Sequence, residues 1–130
     1  MRRAAQFITL ATVVHVLGFF IALPGHLSDP TWSAHAQFHH VLGFVWLTGF
    51  SIMILALTWG PLQRNDRWTF WLLLVAFIFA QGGFFVTSLL EPAGRPMEAW
   101  QNAMLGLVVV IFAVGLGTAW RALPKTPSAA

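Results

Sequence analysis

The segment Trp32-Ser33-Ala34-His35-Ala36-Gln37-Phe38-His39-His40 holds the residues best suited to chemistry in this chain of 130 residues. His35 and His39 are four apart, so on a helix they share one face about one turn from its start. Two imidazoles on one face can coordinate a metal ion together, hold a haem iron through one nitrogen, or pass a proton near neutral pH. His40 follows directly and turns onto a different face. His15 falls near the middle of an apolar run, where lipid disfavours a charged ring, and is expected to bond, uncharged, to a neighbouring helix.

Gln81 lies in the outer half of the third apolar run, ahead of Gly82-Gly83, with Thr87 and Ser88 one to two turns later. Glu98, Gln101 and Asn102 follow at spacings of three and four and make one polar edge. His35, His39, Gln81 and Asn102 are expected to converge in a pocket between helices that opens outward, joined by a carboxylate from Asp29, Glu91 or Glu98. There His35 binds haem b or a metal ion, or acts as a base. His39 shares the metal, orients His35 or shuttles protons, while Gln81 and Asn102 position a substrate. The same residues have simpler roles open to them: hydrated interfacial histidines, and Glu98 as an anion at a helix N-terminus.

The elements that must position these groups are membrane spans. Hydrophobic residues make up 58% of the chain and charged ones 8%, a balance foreign to soluble domains of this size. The length accommodates about four spans of roughly 20 residues with short loops. The spans are expected at about 4–23, 32–59, 68–90 and 97–123, each closed by a helix breaker or turn: Pro24-Gly25, Gly60-Pro61, Glu91-Pro92 and Pro124. The fold is thus all-α, a single four-helix transmembrane bundle over residues 1–124, with a disordered tail at 125–130. Arg2-Arg3 ahead of the first run resembles a secretory leader, but no small-x-small cleavage site follows, so the helix is read as retained.

Arg2, Arg3, Arg64, Arg67, Arg121 and Lys125 fall at the N-terminus, the middle loop and the C-terminus, whereas Arg95 alone falls on the other side. The excess of positive charge predicts that both termini are cytoplasmic, which suits a bacterial inner membrane. The helix 2 histidines then face the outer side. Trp32, Trp59, Trp68, Trp100 and Trp120 stand near span ends, where indoles anchor at the headgroups. Glycines 18, 43, 49, 82, 83, 106, 115 and 117 lie within the spans and are expected to let helices approach closely.

Several functions are excluded by composition. With no Cys there are no disulfides, thiolate metal sites or Cys nucleophiles. No Tyr supplies a phenol, no serine sits in a nucleophile elbow, and no Gly-rich phosphate loop occurs. No span carries a buried Asp for a proton-driven rotor, and no broken-helix pair marks a transporter. The net charge of +3 is scattered at segment ends, so no basic face tracks nucleic acid.

The stretch Asp29-Pro30-Thr31-Trp32-Ser33-Ala34-His35-Ala36-Gln37-Phe38-His39 resembles an uncharacterised family of small four-helix membrane proteins with an Asn/Asp-Pro-x-Trp-x-x-His-Ala-x-Phe-His segment between their first two helices. That resemblance implies a shared architecture and a shared site around His35 and His39. Over the whole chain there is a fainter similarity to styrene oxide isomerase, a small membrane enzyme that binds haem b through a histidine early in its second helix and converts an epoxide to an aldehyde. Trp32-Ser33-Ala34-His35 looks like its Trp-x-x-x-His segment, one residue shorter, which implies His35 as the axial ligand. Gly83-Phe84-Phe85-Val86-Thr87-Ser88 stands where the isomerase has Gly-Phe-Tyr followed by Ser. Phe85 occupies the place of its functional Tyr, and Val41 or Leu42 that of an Asn. His35-x-x-x-His39-His40 also matches one box of membrane di-iron desaturases, but those sites draw on several boxes and this chain has five histidines with no second box.

Together these features describe a membrane-embedded enzyme acting on a small lipophilic substrate from the bilayer, by isomerisation or another acid-base or Lewis-acid step. A non-catalytic subunit docking onto a larger membrane complex, and a lipid-binding protein, are the alternatives. A homo-oligomer, trimeric by analogy, suits the isomerase resemblance.

Overall fold

The computed structural model describes residues 1–90 and 99–125, with side chains at 1–83 and 100–125. It is all-helical: α1 (Arg2–Ser28), α2 (Ala34–Trp59), α3 (Arg67–Leu90) and α4 (Ala99–Ala122), with a 3-10 turn at Pro61–Arg64 between α2 and α3. Arg2–Ser28, Ala34–Arg64 and Trp100–Ala122 are long and apolar enough to cross a membrane, and α3 is apolar over the shorter stretch Arg67–Gly83. Residues such as Phe79 and Ile21, 75% and 71% exposed, face outward. An outer surface of this kind matches lipid rather than water.

The first helix is longer than its breakers suggested. Pro24 lies inside α1, which continues through Gly25 to Ser28. Proline removes one donor and crowds the carbonyl four residues back, but apolar spans tolerate that disturbance where neighbouring groups re-satisfy the backbone. The chain turns at Asp29 instead, whose Oδ1 accepts from the Thr31 amide at 2.8 Å and from its hydroxyl at 2.7 Å. An Asx-type turn followed by Pro30 is a firmer stop than Pro24-Gly25. The extra turn places His26 on the helix. α2 begins two residues later than expected because Ser33 caps it, its Oγ accepting from the Ala36 amide at 3.2 Å. At its other end the Gly60 amide donates to Ala56 at 2.9 Å before Pro61 stops the helix. The 3-10 turn then closes on Asn65 at φ 61°, a left-handed conformation that asparagine tolerates.

α1 and α3 each pack against α2 and α4, so they face one another across the bundle. α1 buries Ala4, Ile8, Ala11, Thr12, His15 and Gly18, and α4 answers with Leu105, Val108, Phe112, Leu116 and Ala119. Both rows follow the three-and-four spacing of a single helical face. Phe77 of α3 stacks on Phe112 with ring centroids 4.9 Å apart. Trp59, read as a headgroup anchor, also ties α2 to α1 by donating from Nε1 to Thr9 Oγ1 at 2.8 Å. Packing is tightest at the end holding the N-terminus of α1. In α2 the buried residues are Ser51, Ile54 and Thr58, all in its second half, so the half that carries His35 and His39 stands largely free of the core.

Among the described residues, two of the span glycines closely meet another helix, Gly18 and Gly115. A Cβ at Gly115 would lie 2.8 Å from Ile8, and one at Gly18 would lie 2.4 Å from Met104. At 43, 49, 82, 106 and 117 it would meet nothing within 4 Å, so the close-packing role expected for those positions is not seen among the described residues.

Asp66 caps α3. Its Oδ2 accepts from the Thr69 amide at 2.9 Å and from the Thr69 hydroxyl. These bonds from Thr69, with help from the Trp68 amide and Arg64, hold the carboxyl below its ordinary value. A lowered folded pKa means the contribution is fully present above the unfolded carboxylate range and is lost as pH falls through the folded value. Asp66→Asn, which caps comparably, should keep near-neutral stability while flattening the acid limb of a stability–pH curve, whereas Asp66→Ala should lower stability at pH 7. Thermal unfolding between pH 3 and 7 checks both.

Candidate functional site

Two histidines of α2 come together at its first turn. His35 and His39 are both exposed, with Nε2 to Nε2 at 3.0 Å and rings set edge-on at 4.4 Å between centroids. One Nε2 must carry a proton and the other a lone pair for this contact to be a hydrogen bond. With Nε2 unprotonated on both rings, the two nitrogens could serve one metal ion together. The pair would hold, through its two Nε2 atoms, a transition-metal ion that favours imidazole ligands, such as Cu(II) or Ni(II).

Haem fits this arrangement less directly. An axial bond to iron would use the His35 Nε2 lone pair, the atom His39 already engages, so the pair would have to open first. Among the described residues no group of three or more His, Asp or Glu converges. A metal ion at the pair would take its remaining ligands from water or substrate, which is the open coordination that Lewis-acid chemistry requires. Phe38, exposed and with its ring 5.5 Å from that of His39, gives the site an apolar border.

Gln81 is not brought to this pair. Gln81 is buried in the bundle centre, where its Nε2 lies 3.2 Å from Nδ1 of His15. That contact spans α1 and α3 and gives His15 the cross-helix bond expected of it. The level is set by Ser51 of α2, twelve residues beyond His39, or about 18 Å along the helix axis. A void of about 10 Å³ lies there, lined by Thr12, His15, Ser51 and Gln81 among apolar neighbours from all four helices. Asn102 is exposed on the first turns of α4. Glu91, Glu98, Phe85, Thr87, Ser88, Arg95 and the tail 126–130 lie outside the residues or side chains described, while Asp29 serves the turn after α1. Among the described residues, His35 and His39 thus form an exposed imidazole pair at the N-terminal end of α2, and Gln81 belongs instead to a separate, buried amide–imidazole pair at mid-bundle.

A third grouping was not foreseen. His26, Trp32 and His40 pack mutually, with ring centroids 4.5 Å apart for His26–His40, 4.8 Å for His26–Trp32 and 5.4 Å for Trp32–His40. Phe19 stacks on His40 at 6.0 Å. Nearby, Gln37 Nε2 donates to the Leu27 carbonyl at 3.1 Å. These contacts fasten the last turn of α1 to the first turns of α2 and so hold the face bearing His35 and His39 in place. Reading Pro24-Gly25 as a stop hid the cluster, because it put His26 in a loop. The signal available was the match of ring-bearing residues on either side of a short, Asp-Pro-containing turn.

No family model matches the chain, and neither does any curated protein or solved structure.

Proposed function

We propose that this chain is a four-span protein of a bacterial inner membrane, with both termini cytoplasmic, and that it is an enzyme acting on a small lipophilic substrate through a metal ion held by His35 and His39. The observation that carries the reading is the 3.0 Å approach of the two Nε2 atoms on an exposed face. Two imidazole nitrogens this close on one helix face are within reach of a single ion once neither carries a proton there. The resemblance of 29–39 to a family segment centred on these same histidines, and the fainter likeness to an epoxide isomerase, point the same way.

A bound ion would supply Lewis acidity to a substrate oxygen. The chain's own groups would do the rest. Phe38 and the lipid-facing surface admit an apolar molecule, and the Trp32–His26–His40 cluster fixes the site. Isomerising an epoxide balances without a co-reactant: one C–O bond breaks, a hydride moves to the adjacent carbon and a carbonyl forms. Purified protein reconstituted with bound metal and offered aryl and alkyl epoxides should release carbonyl product, and His35→Ala should abolish it with folding intact. A fully folded, metal-loaded protein inert to every epoxide would remove the isomerase assignment.

Four spans and cytoplasmic termini are supported by the distribution of Arg and Lys and tested simply, because the chain has no cysteine. Ser28→Cys should react with a membrane-impermeant maleimide added outside intact cells, and Asn65→Cys only after lysis. The opposite pattern would invert the topology.

A second reading, lipid binding without turnover, draws on one feature. An open groove of about 570 Å³ between α1 and α4 is lined by Arg3, Gln6, Phe7, Leu10 and Thr118. It pairs a guanidinium with apolar walls, as a headgroup and acyl chain would require. Under that reading Arg3→Gln would lower co-purified anionic lipid, and both histidine substitutions would be silent.

A further inference from the structure

The outer histidines leave the buried centre of the bundle without a role. Four polar side chains, Thr12, His15, Ser51 and Gln81, meet there at 4–6% exposure, deep within otherwise apolar helices. Two of their bonds are clear. Thr12 donates to the Ile8 carbonyl at 2.7 Å, and the amide nitrogen of Gln81 pairs with His15 Nδ1 at 3.2 Å. The other end of the amide, Gln81 Oε1, is buried and has no hydrogen-bond partner among the described residues. An amide oxygen left unmet in apolar surroundings is destabilising, because nothing there replaces the hydrogen bonds it makes in water. Exchanging the two ends of the amide does not help: the oxygen would then meet His15, and two N–H donors would face the void unmet.

The void beside it measures about 10 Å³, close to the least room in which one water can sit. It is too small for an ion with its shell or for any organic ligand. Its lining supplies what a water needs, two to four polar contacts. A water can donate to Gln81 Oε1 and to the remaining lone pair of Thr12 Oγ1, whose own proton is already given to Ile8, and can accept from the Ser51 hydroxyl. We infer that the void is a binding site for one buried water, which satisfies Gln81 and links α1 and α3 to α2 at mid-bundle. The water thereby acts as a polar fastening that fixes helix register where apolar packing alone is permissive. This site is independent of the His35–His39 proposal and stands or falls separately.

The test is water-edited solid-state NMR of the full chain in lipid bilayers, with glutamine labelled in its side-chain amide and Gln81→Met used to assign the Gln81 signal. Wild type should show early transfer from water to the Gln81 amide despite its burial. Ser51→Val, which removes one partner and adds a methyl group that would take up the void, should reduce that transfer to the level of the surrounding dry core. Absence of transfer in wild type would overturn the assignment. Full transfer in Ser51→Val would overturn it too, since the water would then reach Gln81 by another route. A structure of wild type at a resolution that shows waters gives a second reading without any variant: one density peak within hydrogen-bond distance of Gln81 Oε1 supports the site, and an empty void refutes it.

Discussion

Gly115→Val is expected to be the most damaging single change in this chain. α1 and α4 pass closest where Gly115 faces Ile8, and a Cβ there would lie 2.8 Å from Ile8 Cγ1, 3.1 Å from the Ile8 backbone nitrogen and 3.2 Å from Phe7 Cβ. A side-chain methyl could swing away, but a backbone nitrogen moves only if α1 moves. Ile8 is fully buried, so no open space receives the displaced atoms. Overpacking of this kind costs about 1–3 kcal/mol for a small excess, the range expected for Gly115→Ala, and valine adds two further methyl groups. Gly117→Val is the control: a Cβ there meets nothing within 4 Å, and surface changes of this sort stay within about 0.5 kcal/mol. Unfolding in mixed micelles should separate the two. Gly18 is milder, because its near neighbours are the terminal atoms of Met104, which can rotate aside.

The second large effect is expected at the mid-bundle pair. His15→Leu removes the described partner of the Gln81 amide nitrogen and leaves a buried polar group unmet, at about 1–3 kcal/mol. Gln81→Leu should cost less than His15→Leu if the imidazole has other contacts to fall back on. The double change His15→Leu with Gln81→Leu should recover part of the loss, since no buried amide then remains. The coupling energy from the four-protein cycle should fall at about 0.6–1.7 kcal/mol, the range for hydrogen bonds between membrane helices. A coupling near zero would mean that the 3.2 Å contact contributes nothing to the bundle.

Much of this architecture was legible in the residues, and the failures have physical causes. Apolar length located the four helices, and Gly60-Pro61 ended α2 where it was expected to end, because glycine and proline together remove both the conformational restraint and the donor a helix needs. Pro24-Gly25 failed for the same residue types, since a proline inside an apolar span has neighbours to offset its lost bond, while the Asp29–Thr31 turn four residues later had a positive reason to stop the chain. The His35–His39 pairing was within reach of spacing alone, because two residues four apart on one helix share a face whatever the tertiary fold. Gln81 did not, because its partner depends on which helices lie diagonal to one another. Spacing places Gln81 on a face of α3; only the packing of α1 opposite α3 turns that face to His15. The glycines divide likewise: helix geometry is blind to whether Gly115 meets Ile8 or Gly117 meets lipid.

The measurement that bears most directly on the central claim is metal binding by tag-free protein in detergent, read by equilibrium dialysis with Cu(II) or Ni(II) and by absorption, comparing wild type with His35→Ala, His39→Ala and His40→Ala. A clamp formed by the two Nε2 atoms at 3.0 Å should bind one ion per chain. Affinity should drop by more than tenfold in either His35→Ala or His39→Ala, since even groups outside the coordination shell are worth about 10–100-fold. His40→Ala, whose ring packs on His26 and Trp32 instead, should bind as wild type does. Equal binding by all four proteins, or none by wild type, would contradict the proposal, and a Soret band lost only in His35→Ala would replace the single ion with haem.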